Sequence, residues 1–293
     1  MEKIKVILDT DLGSDCDDAG ALALLHNLEK QNRAKILAVT HCATEIGGAV
    51  SVKAINEYYG NADIPVGRNQ GEPFLECARC KIFTPYIMEE YLKSNSMPEF
   101  EEAVRLMRRM LVENRNVTII SIGILNNICG LLKSPPDDIS LLSGYELIEQ
   151  SVDEMYVMGG HFENLSISEH NIACDILSAR YVADNFPKPI VYCGFEIGEK
   201  IRTGKLLKGA LDENPVKKIY SIYSRDALRE SWDPITAYAA VEKNNEFLKK
   251  SSYFNISFDD DGKVRYNESG KDCFLILNKQ AEEFGNVIDK LIV

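Results

Sequence analysis

Five aspartates fall within ten residues near the start of the chain: Asp9, Asp11, Asp15, Asp17 and Asp18. They lie between an apolar run, Val6-Ile7-Leu8, and a helical pattern that opens at Asp17-Asp18-Ala19. Carboxylates this close repel one another, and burying them unpaired is costly. No lysine or arginine stands between Lys5 and Lys30 to offset them. A hard divalent cation would, because carboxylate oxygens are the donors that calcium and magnesium take. The other reading is an acidic loop in which Asp17 or Asp18 caps a helix. Capping uses one or two carboxylates and leaves the others unexplained, so the spacing points to a metal site.

The elements that must hold these residues alternate in type. Ile4–Asp9, Lys35–Thr40, Ile64–Val66, Val117–Ile122, Glu154–Met158 and Pro189–Cys193 read as short apolar strands. Asp17–Leu28, Gly48–Tyr59, Pro98–Asn114, Ile124–Lys133 and Asp175–Asn185 read as helices. This alternation predicts an α/β fold with a mostly parallel central sheet and helices on both faces. In the last third, helices at Pro234–Val241 and Lys279–Leu291 bracket a small C-terminal hairpin. Its strands, Tyr253–Phe258 and Lys263–Tyr266, flank Asp259-Asp260-Asp261-Gly262. That run lacks the later ligand spacing of an EF-hand, so it reads as a turn. With no internal repeat or linker, residues 1–293 are expected to form a single domain.

Open parallel sheets bind ligands beyond the carboxyl ends of their strands. Asp11–Asp18, His41–Glu45, Ile122–Asn127 and Gly194-Phe195-Glu196 follow predicted strands. So does Gly159-Gly160-His161, which opens a polar stretch running to Glu169-His170-Asn171. Ser231-Trp232-Asp233-Pro234 reads as a helix start, with Asp233 as N-cap and Pro234 at the first helical position.

Bulk properties narrow the partners. A net charge of −12 argues against a nucleic-acid backbone, which demands clustered Lys and Arg. No apolar run approaches the roughly 20 residues needed to cross a bilayer, so no membrane partner is expected. The chain moves from Met1 straight into a strand pattern without a signal-peptide core, and a cytoplasmic location is the expectation. Of eight cysteines, Cys42, Cys129, Cys174 and Cys193 lie in or beside apolar segments and read as buried free thiols. Cys77-Ala78-Arg79-Cys80 is a lone C-x-x-C without the second pair of a zinc site, and reads as a loop with two reduced thiols.

Taken together, these segments resemble the inosine–uridine-preferring nucleoside hydrolases. Asp9-Thr10-Asp11-Leu12-Gly13-Ser14-Asp15-Cys16-Asp17-Asp18-Ala19 looks like that family's opening motif, D-x-D-x-G-x-D-D-A, with two extra residues before the final Asp-Asp-Ala. The likeness continues through Asp63–Gly67, Ile122–Asn127, Met158-Gly159-Gly160, Glu169–Ile172 and Ser231–Pro234. It implies a Rossmann-like domain and a calcium ion held by Asp11, Asp18, Asp233 and the backbone carbonyl of Ile122. Asp17, Glu169 and Asn171 would bind the ribose, with Asn164 as a further contact, although its spacing to Glu169 is one residue short. The insertion leaves open whether Asp15 takes the role of Asp17 or Asp18. The implied partner is a nucleoside or related riboside, and the implied assembly a homodimer or homotetramer.

The chemistry suits these residue types. Breaking a ribosyl C–N bond builds positive charge on the sugar, which carboxylates stabilise. Asp11, beside metal and water, is the candidate general base. The family's leaving-group acid is a histidine directly before the aspartate matched by Asp233, and in this chain that residue is Trp232. An indole cannot serve as that acid, but it could stack on a base or pack in the core. His41, His161, His170, Tyr220 and Tyr223 are the candidate replacements, and Glu196 could line the pocket or support it. The leading expectation is therefore a calcium-dependent N-ribohydrolase. The alternatives are a riboside-binding protein that has lost turnover and, without any phosphate-binding loop, a metal-dependent phosphohydrolase.

Overall fold

The computed structural model describes residues 3–76, 78–224 and 228–293. Its strands begin with β1 (Ile4–Thr10), β2 (Ala34–His41), β3 (Val66–Arg68), β4 (Glu101–Glu102), β5 (Val117–Ser121), β6 (Val152–Met158) and β7 (Ile190–Cys193). They continue with β8 (Arg202–Thr203), β9 (Arg229–Glu230), β10 (Leu248–Lys250), β11 (Phe254–Phe258), β12 (Val264–Glu268) and β13 (Cys273–Leu277). The first helices are α1 (Asp17–Lys30), α2 (Ile46–Tyr58), α3 (Thr84–Leu92), α4 (Ala103–Glu113), α5 (Asn126–Lys133) and α6 (Gly144–Ser151). The later ones are α7 (His170–Cys174), α8 (Ile176–Asn185), α9 (Phe195–Gly198), α10 (Pro215–Tyr223), α11 (Trp232–Val241) and α12 (Ala281–Ile292).

The central sheet has the order β10-β13-β7-β6-β5-β1-β2-β3-β4. Its neighbours pair in parallel except β10 with β13. From β1 the chain steps outward through β2, β3 and β4, then returns to place β5, β6 and β7 on the other side. The topological switch point therefore lies between β1 and β5, where a ligand crevice is expected. Alternate residues of β1 feed opposite layers. Val6 and Leu8 pack with α1, α2, α11 and α12, while Ile7 packs with α4, α5, α6 and α8. The central strand is buried on both faces, which is why its sequence reads as a continuous aliphatic run. Helix α1 is buried nearly all round, so it shows no polar stripe in sequence.

The expected alternation is present, with local differences. The helix expected from Pro98 begins at Ala103, because Glu101–Glu102 pairs with β3 as an edge strand. The Glu102 carboxylate then caps α4 through the Arg105 N–H at 2.9 Å. Likewise Asp175 is the N-cap of α8, accepting from Ser178 N at 3.0 Å. Sequence pattern predicted neither β10 nor β13, which extend the sheet beyond β7, nor helices α3, α6 and α10. The Asp259–Gly262 run is a hairpin turn between β11 and β12, with Asp259 accepting from Asp261 N and Lys263 N. Cys16, Cys42, Cys129, Cys193 and Cys273 are buried free thiols. The paired-thiol reading at Cys77 lies outside the described residues, and Cys80 is buried. No helix among the described residues is long and apolar enough to cross a membrane.

One buried cation anchors the back of the sheet's second layer. Arg108 on α4 is 1% exposed, and it donates to Asp137 at 2.8 and 3.0 Å, to Ser134 Oγ, and to the carbonyls of Ser140 and Leu142. It thereby ties down the long connection from α5 to α6. Truncation would strand these acceptors, so Arg108→Ala should lose about 2–4 kcal/mol in urea unfolding. Because this corner is remote from the switch point, substrate KM should be unchanged.

Candidate functional site

At the switch point the chain builds a cavity open to solvent. Its floor and rim differ in character. Asp11, Asp17, Asp18, Ile122, Met158, Glu169, Asn171 and Asp233 line it and are buried. Arg79 and His170 are exposed at its edge, with Asp15, Phe195, Arg229 and Trp232 half-buried beside them. The structure thus brings together every residue expected to hold the metal, the sugar or the base except Asn164, and of the candidate acids it places His170 alone in the lining. Asn164 lies outside the cavity, exposed, with its side-chain carbonyl accepting from Ser166 Oγ at 2.6 Å.

Three helix N-termini supply the floor. Asp17 and Asp18 open α1, Glu169 is the N-cap of α7, and Asp233 stands in the first turn of α11. Their exposed N–H dipoles favour negative charge at this place. Asp17 does not cap its own helix. Its Oδ2 accepts from Trp232 N and Asp233 N, both at 3.1 Å, and so caps α11 from across the fold. This corrects the expectation that Asp233 is the N-cap. Ser231 holds that position without a side-chain bond, and the neighbouring Asp17 does the capping, which leaves the Asp233 carboxylate to the site. Asp18 accepts a hydrogen bond from the Thr10 hydroxyl.

Carboxylate oxygens of Asp17, Asp18 and Asp233 all lie within 4.8 Å of one another. Asp11 lines the same floor but stands outside this trio, its Oδ2 accepting from Ser14 Oγ at 2.5 Å. The Ile122 carbonyl receives Asn171 Nδ2 at 3.2 Å, so the predicted backbone ligand and sugar ligand are in contact. Glu169 accepts from Asn171 N at 2.9 Å and Ile172 N at 3.2 Å, which fixes its carboxylate as an acceptor over the floor. Close approach is built into the neighbouring loop as well. A Cβ on Gly123 would lie 2.7 Å from Asp11 N.

The electrostatics explain what such a floor needs. Burial, and then mutual repulsion, push Asp17, Asp18 and Asp233 well above the usual carboxylate range. Asp11 is raised by the same burial. Glu169 is pushed up to about 7. Behind them Asp9 also rises to about 7, with Thr40 and Asn127 bonded to one oxygen and no partner for the other. Among the described residues no lysine or arginine pairs with Asp17, Asp18 or Asp233. Three buried, crowded, hard-oxygen donors fit a divalent cation.

A cation does reach this loop from a distant part of the chain. Arg229 grips Asp15 through Nε at 2.8 Å and Nη2 at 2.5 Å, and pairs with Glu230 at 2.7 Å. The acidic loop, without a cation of its own, thus gains one that pairs with Asp15 and also acts on Asp17 at longer range. Asp15 still adds to the repulsion felt by Asp17, Asp18 and Asp233. Local sequence gives no sign of a partner 214 residues away. Trp232 lies in this network too. Its Nε1 donates to the Phe195 carbonyl at 2.9 Å, its ring stacks on Phe195 at 5.2 Å, and Arg229 lies 4.9 Å over it. Glu196 is buried behind Phe195, accepting from Phe162 N at 3.1 Å, and does not line the cavity.

A switch-point cavity with a carboxylate floor is a site for a small molecule and a hard cation. The family model described as inosine-uridine preferring nucleoside hydrolase matches residues 6–282, and the chain belongs to that family, enzymes that act on N-glycosyl bonds. No curated protein sequence matches the chain significantly. Solved structures share the fold. The chain is similar to an inosine-uridine preferring nucleoside hydrolase from Bacillus anthracis, with a TM-score of 0.76, 15% identity and 99% of each chain covered. It is also similar to the plant nucleoside hydrolase PpNRh1, with a TM-score of 0.74, 18% identity, and 99% of this chain and 98% of that one covered. A purine-preferring ribonucleoside hydrolase from Gardnerella vaginalis aligns with a TM-score of 0.74 and 16% identity over 98% of both chains.

The raised carboxyls set a testable pH dependence. Asp9 and Glu169 rise from 3.8 and 4.5 to about 7, so between about pH 4 and 7 the native state holds more protons than the unfolded chain. The metal-free protein should therefore lose stability as pH rises through that window. Thermal unfolding in chelator should give a lower Tm at about pH 8 than at about pH 5, and calcium should raise Tm more at the higher pH. A chelated Tm that is level across that range contradicts the assignment.

Proposed function

We propose that this enzyme is a calcium-dependent hydrolase that cleaves the N-glycosidic bond of a ribonucleoside to ribose and free base. The observation that carries the reading is the buried floor. Asp17, Asp18 and Asp233 cluster within 4.8 Å, and Asp11, Glu169, Asn171 and the Ile122 carbonyl line the same space. Asp11, Asp18, Asp233 and the Ile122 carbonyl would hold calcium, and Asp17, Glu169 and Asn171 would bind the sugar hydroxyls. Calcium, when bound, supplies a fixed positive charge that gathers the sugar diol and acidifies water.

The protein's own groups do the rest. Asp11 stands at the end of β1 and accepts the proton of the attacking water as general base. The carboxylates of the floor stabilise positive charge as it develops on the ribose. Glu169, held as an acceptor by two backbone N–H groups, and the amide of Asn171 fix the sugar against the end of the sheet. Phe195 and Trp232 present aromatic surface at the rim, where a flat base would leave. Asn164 would join only by turning its side chain inward. We place the enzyme in the cytoplasm, as a single domain that assembles into a homodimer or homotetramer, with neither nucleic acid nor membrane as partner.

The direct test is reducing-sugar release from a panel of purine, pyrimidine and nicotinamide ribosides, with calcium and after chelation. Release that chelation abolishes and calcium restores is the expected outcome. Asp11→Asn should lower kcat by about 10²–10⁴-fold while the protein still folds. Bound calcium and riboside without any ribose release would favour a binding protein.

A further inference from the structure

A departing purine or pyrimidine carries away the electron pair of the C1′–N bond and is neutralised by a proton, whereas nicotinamide leaves already neutral. The position expected to supply one holds Trp232, whose indole N–H is already given to the Phe195 carbonyl. The cavity therefore has to offer another donor.

The chain has four histidines, and only His170 lines the cavity. His26 lies deep on α1 between Asn56 and Asn61, at 2.9 Å from each. His41 is buried with its two ring nitrogens facing the carbonyls of Ala43 and Leu12 at 3.1 and 3.0 Å. His161 packs behind Phe195, and its Nδ1 accepts the Asn164 N–H at 3.1 Å. The tyrosines fare no better. The Tyr220 hydroxyl points at α1, where a Cβ on Gly20 would lie 2.4 Å from it. Tyr223 lies beneath Arg229 and is not part of the lining. The rim arginines cannot give up a proton at any relevant pH.

His170 is differently placed. It is the first residue of α7, between Glu169 and Asn171, whose side chains lie on the floor. Its imidazole is exposed at the rim of the cavity that Glu169 and Asn171 line. The sulfur of Cys174, one turn along the same helix, lies 3.6 Å from Nε2 and 4.0 Å from Nδ1. A thiol is a weak hydrogen-bond partner, so this contact steadies the ring without engaging either nitrogen strongly. Imidazole is also the side chain whose ordinary ionisation falls in the neutral range, as a proton donor at this rim requires.

Building on the hydrolase reading above, we propose that His170 is the catalytic acid that protonates the leaving base. As the C1′–N bond breaks, its electron pair passes to the base, and the imidazolium N–H of His170 delivers a proton to a nitrogen or oxygen of that base. The water oxygen bonds to the anomeric carbon and loses one proton to Asp11. Ribose and neutral base leave, and Asp11 and His170 return to their starting states by exchange with solvent.

The test compares two leaving groups on the calcium-loaded enzyme. Inosine and uridine need a proton on departure, whereas p-nitrophenyl riboside releases a stable anion without one. In His170→Ala and His170→Asn, kcat for the nucleosides should fall about 10²–10⁴-fold with little change in KM. Cleavage of p-nitrophenyl riboside should be unchanged, and added imidazole should restore part of the nucleoside activity of His170→Ala. Equal losses on both kinds of substrate, or no loss on either, would overturn the role of His170. Wild-type enzyme that cleaves neither these substrates nor any other riboside of the panel would overturn the hydrolase reading, and this role with it.

Discussion

The constraint on which this structure depends is the burial of like charges. Asp17, Asp18 and Asp233 are held within 4.8 Å of one another in a buried floor, with Asp11 and Glu169 beside them. Such a cluster opposes folding unless the backbone and a cation compensate it. The fold supplies the backbone share. The helices α1, α7 and α11 all begin at this floor, and their N-terminal dipoles favour negative charge. The sheet topology makes that convergence possible, because the switch between β1 and β5 opens a crevice that three helices can enter. The remaining charge requires a ligand, and metal binding is thereby linked to the stability of the whole domain.

Floor and rim follow different logics. Much of the floor is fixed, because three of its polar groups also hold backbone. Asp17 caps α11, Glu169 caps its own helix, and Asn171 bridges the carbonyls of Ile122 and Met158. Such groups serve structure and sugar binding together, so few substitutions there are tolerable. The rim carries exposed or half-buried side chains that hold little of the fold, and it can change with the base to be recognised. Trp232 illustrates the difference. Its backbone N–H belongs to the floor through Asp17, while its indole belongs to an aromatic stack with Phe195 at the rim.

Legibility in the sequence follows the range of the interactions. The central strands read clearly because burial on both faces demands continuous aliphatic runs, as in Val6–Leu8. The aspartate spacing and the strand-end motifs located almost all of the floor, since those residues are local to strand and helix boundaries. The N-cap of α11 could not be read locally, because the capping carboxylate is Asp17, more than two hundred residues earlier. The same holds for Arg229 and Asp15. Strand β13 escaped prediction because a short apolar run carries no period that separates strand from buried helix, and β10, Leu248-Lys249-Lys250, has no apolar pattern to read. Asn164 was placed by analogy of spacing, and its loop turns the side chain back on Ser166.

The Asp15–Arg229 pair has a consequence for how the molecule comes into being. During synthesis the acidic loop after β1 leaves the ribosome early, whereas its arginine and the Asp233 carboxylate arrive when most of the chain has been made. Until then the nascent chain carries a cluster of repelling carboxylates with no partner, and α1 lacks the helix against which it packs. The N-terminal segments therefore cannot close into a native-like intermediate holding a finished site. The site is complete only when the last third of the chain has folded back over the first helix.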